Sequence, residues 1–314
     1  MDGSVEGRMD PKGMDPKELE ELARPPGEQI ARALETSEPE ALGLFDRLVG
    51  GYQSFIEGFH VWVASIQGFL YERFGPEGLA LTATLEARLA AARPTNHQLA
   101  AMGANFQRER REFEQQFLAG ETVAAQSVFD SLEARLRGSH DYHLDRVSLY
   151  LSHVYREYGI ECLEESLRYS GERTLLRWMP KDLSREPEKR LRTWASMLLG
   201  NFATLRIEED DQKFSLIQDP CGTCTRQLRS GAYAPPLDLA LVRESHPITY
   251  GQGDLPVYRC HVAVMHFLMP IEREGVPWPV VECPRGQGEG PCRILLYKDP
   301  SRTPARHGAR VGLG

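Results

Sequence analysis

Apolar residues recur at helical spacing up to about residue 202 of this chain and alternate at strand spacing beyond it. That change of period demands two kinds of structure in one protein. In the first part, Phe55, Phe59, Trp62, Ile66 and Phe69 step by 4, 3, 4 and 3 residues, an apolar stripe along one helix face. Asp15-Pro16 supplies a cap and a first-turn proline for an opening helix, and Gly75-Pro76 supplies a stop. The pattern returns 84 residues later, where Val147, Leu151, Val154 and Tyr158 run into Gly159. The segments "YERFGPEGL" (71–79) and "YREYGIECL" (155–163) agree at four of nine positions. A duplicated helical hairpin explains this, and so do two helices of one bundle sharing a stop signal. The aromatic stripes read as core.

After Phe202, "TLRIEEDDQKFSLIQD" alternates on both sides of the polar turn 209–212, as a two-stranded hairpin does. Leu205 and Ile207 share a face, opposed by Phe214 and Leu216. Short strands are expected at "WPVVEC" (278–283) and "CRILLYK" (292–298). "HVAVMHFLM" (261–269) reads as helical or extended, with Pro270 limiting any helix there. The expected fold is therefore α+β: a helical domain over 15–202, then a small metal-organised α+β domain over 203–300. Residues 1–14 and the tail 301–314 lack periodicity and are expected to be disordered.

At 314 residues the chain can bury a large core, and no run approaches eighteen apolar residues, so no membrane span is expected. The polar, acidic N-terminus lacks the apolar stretch of a secretory signal, which points to a cytoplasmic protein with reduced thiols. A net charge of −8 argues against a general grip on nucleic acid. From Asp219 onward, 11 Lys and Arg face 9 Asp and Glu, so the acidic surplus lies upstream and the C-terminal part suits a small anionic substrate. Nothing in the composition speaks to oligomeric state.

Five of the six cysteines, Cys221, Cys224, Cys260, Cys283 and Cys292, fall in the last 94 residues. Cys162 stands alone in a predicted helix and reads as a small buried residue. The Cys221-x2-Cys224 spacing lets two sulfurs face one tetrahedral ion. Cys260 with adjacent His261 offers a second donor set; Cys283 and Cys292, flanking "PRGQGEGP", offer a third. Zinc is the expected metal, and an iron–sulfur cluster is an alternative use of four thiolates. A redox pair fits less well, because that motif opens a helix inside a βαβ unit. Cysteines together by chance remain the plain alternative.

"DPCGTCTRQLRSG", "VYRCHVAVMHFLMPIEREGVPWPVVE" and "PCRILLYKDP", with the upstream "HDYHLDRVSLYLSHVYREYG", resemble an uncharacterised bacterial family over roughly residues 139–300. Its pattern is a Pro-Cys-Gly, a Cys/His-rich segment running into Pro-Ile-Glu, and a Pro-Cys before "YKDP". The closing "GEGPCRILLYK" is similar to the end of L-2-amino-thiazoline-4-carboxylate hydrolase-like proteins, whose implied reaction opens a ring bearing C–N and C–S bonds. The resemblance implies Cys221, Cys260 and Cys292 as ligands with a nearby histidine as fourth donor. The chain departs from the pattern in having Cys224 where a small residue is expected, and in having fewer cysteines just after Cys260.

Among other polar residues, His266 and Glu272 are candidates for proton transfer beside a metal-bound water. Arg226 and Arg229 are candidates for binding a substrate carboxylate, and solvated arginines are the bland alternative. In "SHDYHLD" (139–145), a helix start capped by Ser139 is the simpler reading, with a His/Asp pair reaching toward the C-terminal domain as the other. "GQGD" and "GQGEG" lack the strand-to-helix setting of a phosphate loop. The expected ligand set is Cys221, Cys224, Cys260, His261 and Cys292. The expected function is a zinc-dependent enzyme, hydrolytic and in a biosynthetic role, acting on a small molecule. A non-enzymatic binding protein with structural zinc is the rival.

Overall fold

The computed structural model describes residues 13–102, 106–284 and 290–313, and of the segment 1–14 it therefore describes only Gly13 and Met14. The helical part comprises α1 (Pro16–Leu22), α2 (Pro26–Ala33), α3 (Glu38–Phe74), α4 (Thr82–Ala92), α5 (Pro94–Met102), α6 (Phe106–Leu118), α7 (Thr122–Arg173), α8 (Met179–Leu183) and α9 (Pro187–Gly200). Asp15 caps α1, accepting from the Lys17 N–H, and Gly75 ends α3. Helix α7 runs through Gly159, whose φ of 86° and ψ of −179° break the helical geometry there. Ser139 lies inside α7, so it caps nothing; the helix starts seventeen residues earlier, at Thr122.

Contacts between α3 and α7 keep a nearly constant sequence offset: Tyr52 to Glu133, Gln67 to Tyr150 and Phe74 to Tyr158. A constant offset means that the two long helices run parallel, with α4 to α6 returning the chain between them. Phe45, Phe113 and Phe129 make a smaller core at one end of this pair. The larger core joins α3, α7 and α9 to the C-terminal sheet and runs continuously from Met14 to Val311. Helix gives way to strand near residue 202, while this core crosses that position.

The sheet has the order β1 (Leu205–Glu209), β2 (Lys213–Gln218), β6 (Cys292–Tyr297), β5 (Val280–Glu282), all antiparallel. Ile207 pairs with Leu216, and Asp210 Oδ1 accepts from the Gln212 and Lys213 N–H groups to close the hairpin turn. Between β2 and β5 come α10 (Cys224–Arg229) and a small ladder of β3 (Leu241–Val242) with β4 (Leu255–Pro256). They are followed by α11 (Cys260–Val262), a π-helical turn at Ala263–Leu268, and α12 (Met269–Glu274). Pro270 does not end this helix. It sits in the first turn of α12, where its missing N–H is not needed, and the wider π turn before it absorbs the ring.

Buried Asp182 holds these layers in place. Its Oδ2 accepts from Trp278 Nε1 at 2.7 Å, Trp194 Nε1 at 3.2 Å and Arg190 Nε at 3.3 Å. Burying Trp194 and Trp278 contributes at most about 4–6 kcal/mol each, from roughly 150–250 Å² of surface. The tail is not disordered over 301–313: α13 (Arg306–Ala309) packs His307 and Val311 into the core, and Arg310 Nη1 donates to the Val281 carbonyl. Its apolar residues are too few to show a period, yet Val311 is buried in the larger core and Leu313 packs against it. Among the described residues no helix is long and apolar enough to cross a membrane.

Candidate metal centre

Where β2 ends, the chain passes through a cis Asp219-Pro220 bond to Cys221, turns at Gly222, and enters α10 at Cys224. A Cβ on residue 222 would lie 1.6 Å from the Asn201 carbonyl oxygen, so only glycine lets the turn press against the end of α9. The Thr225 N–H then donates to Cys221 Sγ at 3.1 Å, and the two sulfurs of the pair stand 3.3 Å apart. Cys292 opens β6 directly opposite Gln218, which brings a third sulfur to the same place. Cys221, Cys224 and Cys292 are buried, and their Sγ atoms all lie within 4.8 Å of one another. These three could bind a metal ion.

Cys283 follows β5, and the register Glu282 to Arg293 carries it opposite Cys292 at the mouth of the β5–β6 hairpin. Its thiol interacts with those of Cys224 and Cys292. Those hydrogen bonds, from Cys224 first, hold the Cys283 thiol well below its ordinary range, with the Arg259 guanidinium assisting. Cys224 is lowered by the Cys221 thiol, whereas Cys292 is raised by its bonds to Cys221, Cys224 and Cys283. Thiols as close as Cys221, Cys224 and Cys292 cannot all ionise without a cation. Arg259, 1% exposed, supplies one positive charge. Burial would lower its pKa, but the Cys224 and Cys283 sulfurs outweigh burial and hold it raised.

The three sulfurs of Cys221, Cys224 and Cys292 fit a single tetrahedral ion. A Zn–S bond of about 2.3 Å gives a tetrahedron with sulfur-to-sulfur edges of about 3.8 Å, close to the 3.3 Å of the CxxC pair and inside the 4.8 Å limit of the three. An iron–sulfur cubane places each cysteine on a different iron and spreads the sulfurs further.

Cys260 and His261 are not part of this group. Cys260 is wholly buried elsewhere in the core, where burial raises its thiol. His261 Nδ1 bonds the Tyr258 carbonyl oxygen, and its ring meets Trp62 edge to face. Glu272 is held outside by a two-pronged ion pair with Arg168, at 2.7 and 2.9 Å. Arg226 pairs with Asp141 and lines a separate polar cleft with Arg93 and Asp145, while Arg229 pairs with Asp219 at the surface. His140 bonds Asn201 and Asp141, and His143 packs on His60, so neither histidine reaches the thiols. Cys283, which lines the same cavity as the three, was visible in the sequence as a strand-flanking partner of Cys292, but nothing there ranked it above Cys260.

The thiols form one wall of a cavity of about 590 Å³ between the helices and the sheet. Its other walls are mainly aromatic and aliphatic, including Phe59, Trp62, Trp178, Trp194 and Met265. His261 and His266 line it too, and Arg173 and Arg177 stand at its exposed edge. His266 is clamped to Trp278: its Nδ1–H donates to the Trp278 carbonyl at 2.8 Å, and the Trp278 N–H donates back to the His266 carbonyl at 2.9 Å. Burial pushes His266 down to about 4 and His261 down to about 3, so both rings are neutral near pH 7. With Nδ1 protonated, each leaves Nε2 as a bare acceptor. Comparison of the chain with protein-family models, curated proteins and solved structures finds no match.

Proposed function

We propose that Cys221, Cys224, Cys283 and Cys292 hold one zinc ion, and that the protein binds a small molecule in the cavity this site walls. The observation carrying this reading is the convergence of three buried thiols, Cys221, Cys224 and Cys292, within 4.8 Å of one another on the border of a large aromatic cavity that Cys283 also lines. Four protein ligands characterise structural zinc sites, whereas catalytic sites keep a position for water. Zinc hydrolysis of the kind implied by the resemblance to thiazoline-carboxylate hydrolases therefore has less support than ligand binding. The zinc fastens the α10 turn to the β5–β6 hairpin and so shapes the cavity wall. Metal content of the purified protein with X-ray absorption at the zinc edge tests this. One zinc per chain with four sulfur neighbours is expected, and three sulfurs plus an oxygen would reinstate the hydrolytic reading.

A second reading rests on His266. A neutral imidazole whose tautomer is fixed by the Trp278 carbonyl, with Nε2 open to the cavity, is suited to accept a proton from a bound molecule. It would make the protein an acid–base enzyme whose zinc is structural.

A further inference from the structure

The π turn at Ala263–Leu268 has a consequence for what the cavity holds. In a regular α-helix, residues five apart point about 140° away from each other. A turn with i to i+5 hydrogen bonds closes that angle, and here it brings His266 onto the cavity side with His261. The two ring centroids lie 6.0 Å apart. Each Nδ1 is occupied by a backbone carbonyl, of Tyr258 or Trp278, and neither Nε2 has a partner among the described residues. The wall of this mainly apolar cavity thus presents two hydrogen-bond acceptors.

The mouth has the opposite character. Arg173 and Arg177 are exposed and line the edge. Arg173 stacks over Tyr169 and donates to its backbone carbonyl, and neither arginine has a carboxylate partner among the described residues. Most arginines around them are engaged, as Arg168 is with Glu272 and Arg273 with Glu172. Trp62 and Trp178 also line the cavity.

We propose, building on the ligand-binding reading, that the cavity takes a flat aromatic acid, with a hydroxyl or ring N–H at its inner end and a carboxylate at its outer end. The inner group donates to Nε2 of His266 or His261, the rings lie against the tryptophans, and the carboxylate faces Arg173 and Arg177. A saturated fatty acid would satisfy the mouth but leave both buried acceptors without donors.

The test uses the full chain carrying its metal and four probes: 4′-hydroxybiphenyl-4-carboxylate, biphenyl-4-carboxylate, 4-phenylphenol and decanoate. Binding is followed by tryptophan fluorescence and calorimetry. The hydroxy acid should bind tightest. Loss of its hydroxyl should weaken binding about tenfold, and His266→Phe should erase that difference. Loss of the carboxylate should weaken binding several-fold, an effect that vanishes in Arg177→Ala or in about 0.5 M salt. Zinc content and circular dichroism of each variant show whether it is folded; if His266→Phe is not, His266→Gln and the wild-type probe series carry the comparison. Equal binding of the four probes, or preference for decanoate, overturns the assignment of ligand class while leaving the ligand-binding reading intact. No binding of any probe to the zinc-loaded protein overturns both.

Discussion

Phe74 and Tyr158 stack face to face, their centroids 4.0 Å apart and their planes at 12°. They hold the same place in the two segments that share four of nine residues, and each precedes a glycine of similar backbone, φ 66° at Gly75 and φ 86° at Gly159. The parallel packing of α3 and α7 at a near-constant offset sets these equivalent positions side by side. Both glycines have ψ near ±180°, a region open to glycine alone. Gly159→Ala should therefore cost about 1–3 kcal/mol in denaturant unfolding, and an unchanged midpoint would show that the backbone relaxes there without strain.

The turn at Gly222 should be the least tolerant position near the thiols. An alanine there meets the Asn201 carbonyl oxygen and must push Cys221 away from α9. Gly222→Ala is expected to lose about 3 kcal/mol or more and to purify with little zinc. Full zinc occupancy in this variant would mean that the turn is not needed to assemble the site.

Among single Cys→Ser variants, those at Cys221, Cys224, Cys283 and Cys292 should each lose most bound zinc on dialysis, since zinc binding and folding are coupled. Cys260→Ser should keep it and lose only about 1–2 kcal/mol for a hydroxyl in the core. This reverses the ranking that the resemblance implies, in which Cys260 is a ligand and position 224 is variable. Zinc lost from Cys260→Ser but kept by Cys283→Ser would restore that ranking.

Acid should destabilise the protein before ordinary carboxylates titrate. His266 is held neutral when folded, pushed down to about 4 from the usual 6.5, with burial as the main cause. The folded chain then binds fewer protons than the unfolded one between these values. The stabilisation is full above pH 6.5 and fades as pH falls toward 4, reaching about 3 kcal/mol lost. His266→Phe removes this proton uptake, so its stability should fall less steeply across that window. Parallel pH profiles for the two proteins would rule out His266 as the source.

The local periods were enough to read the helices, the β1–β2 hairpin and the strands around 280 and 294, because each depends on residues a few positions apart. Clustering of thiols in the last third was legible for the same reason, as was the pairing of Cys221 with Cys224. Which thiols meet was not. Cys260 and Cys283 look alike in the sequence, and only the β5–β6 register sets Cys283 opposite Cys292 while the core encloses Cys260. Nor could spacing foretell that Arg226 and Glu272 would be taken up by Asp141 and Arg168, or that the last residues would pack under Arg310. Ion pairs and cavities arise between segments far apart along the chain. Periodicity records the face that a residue turns inward; the packing of whole layers decides what it meets there.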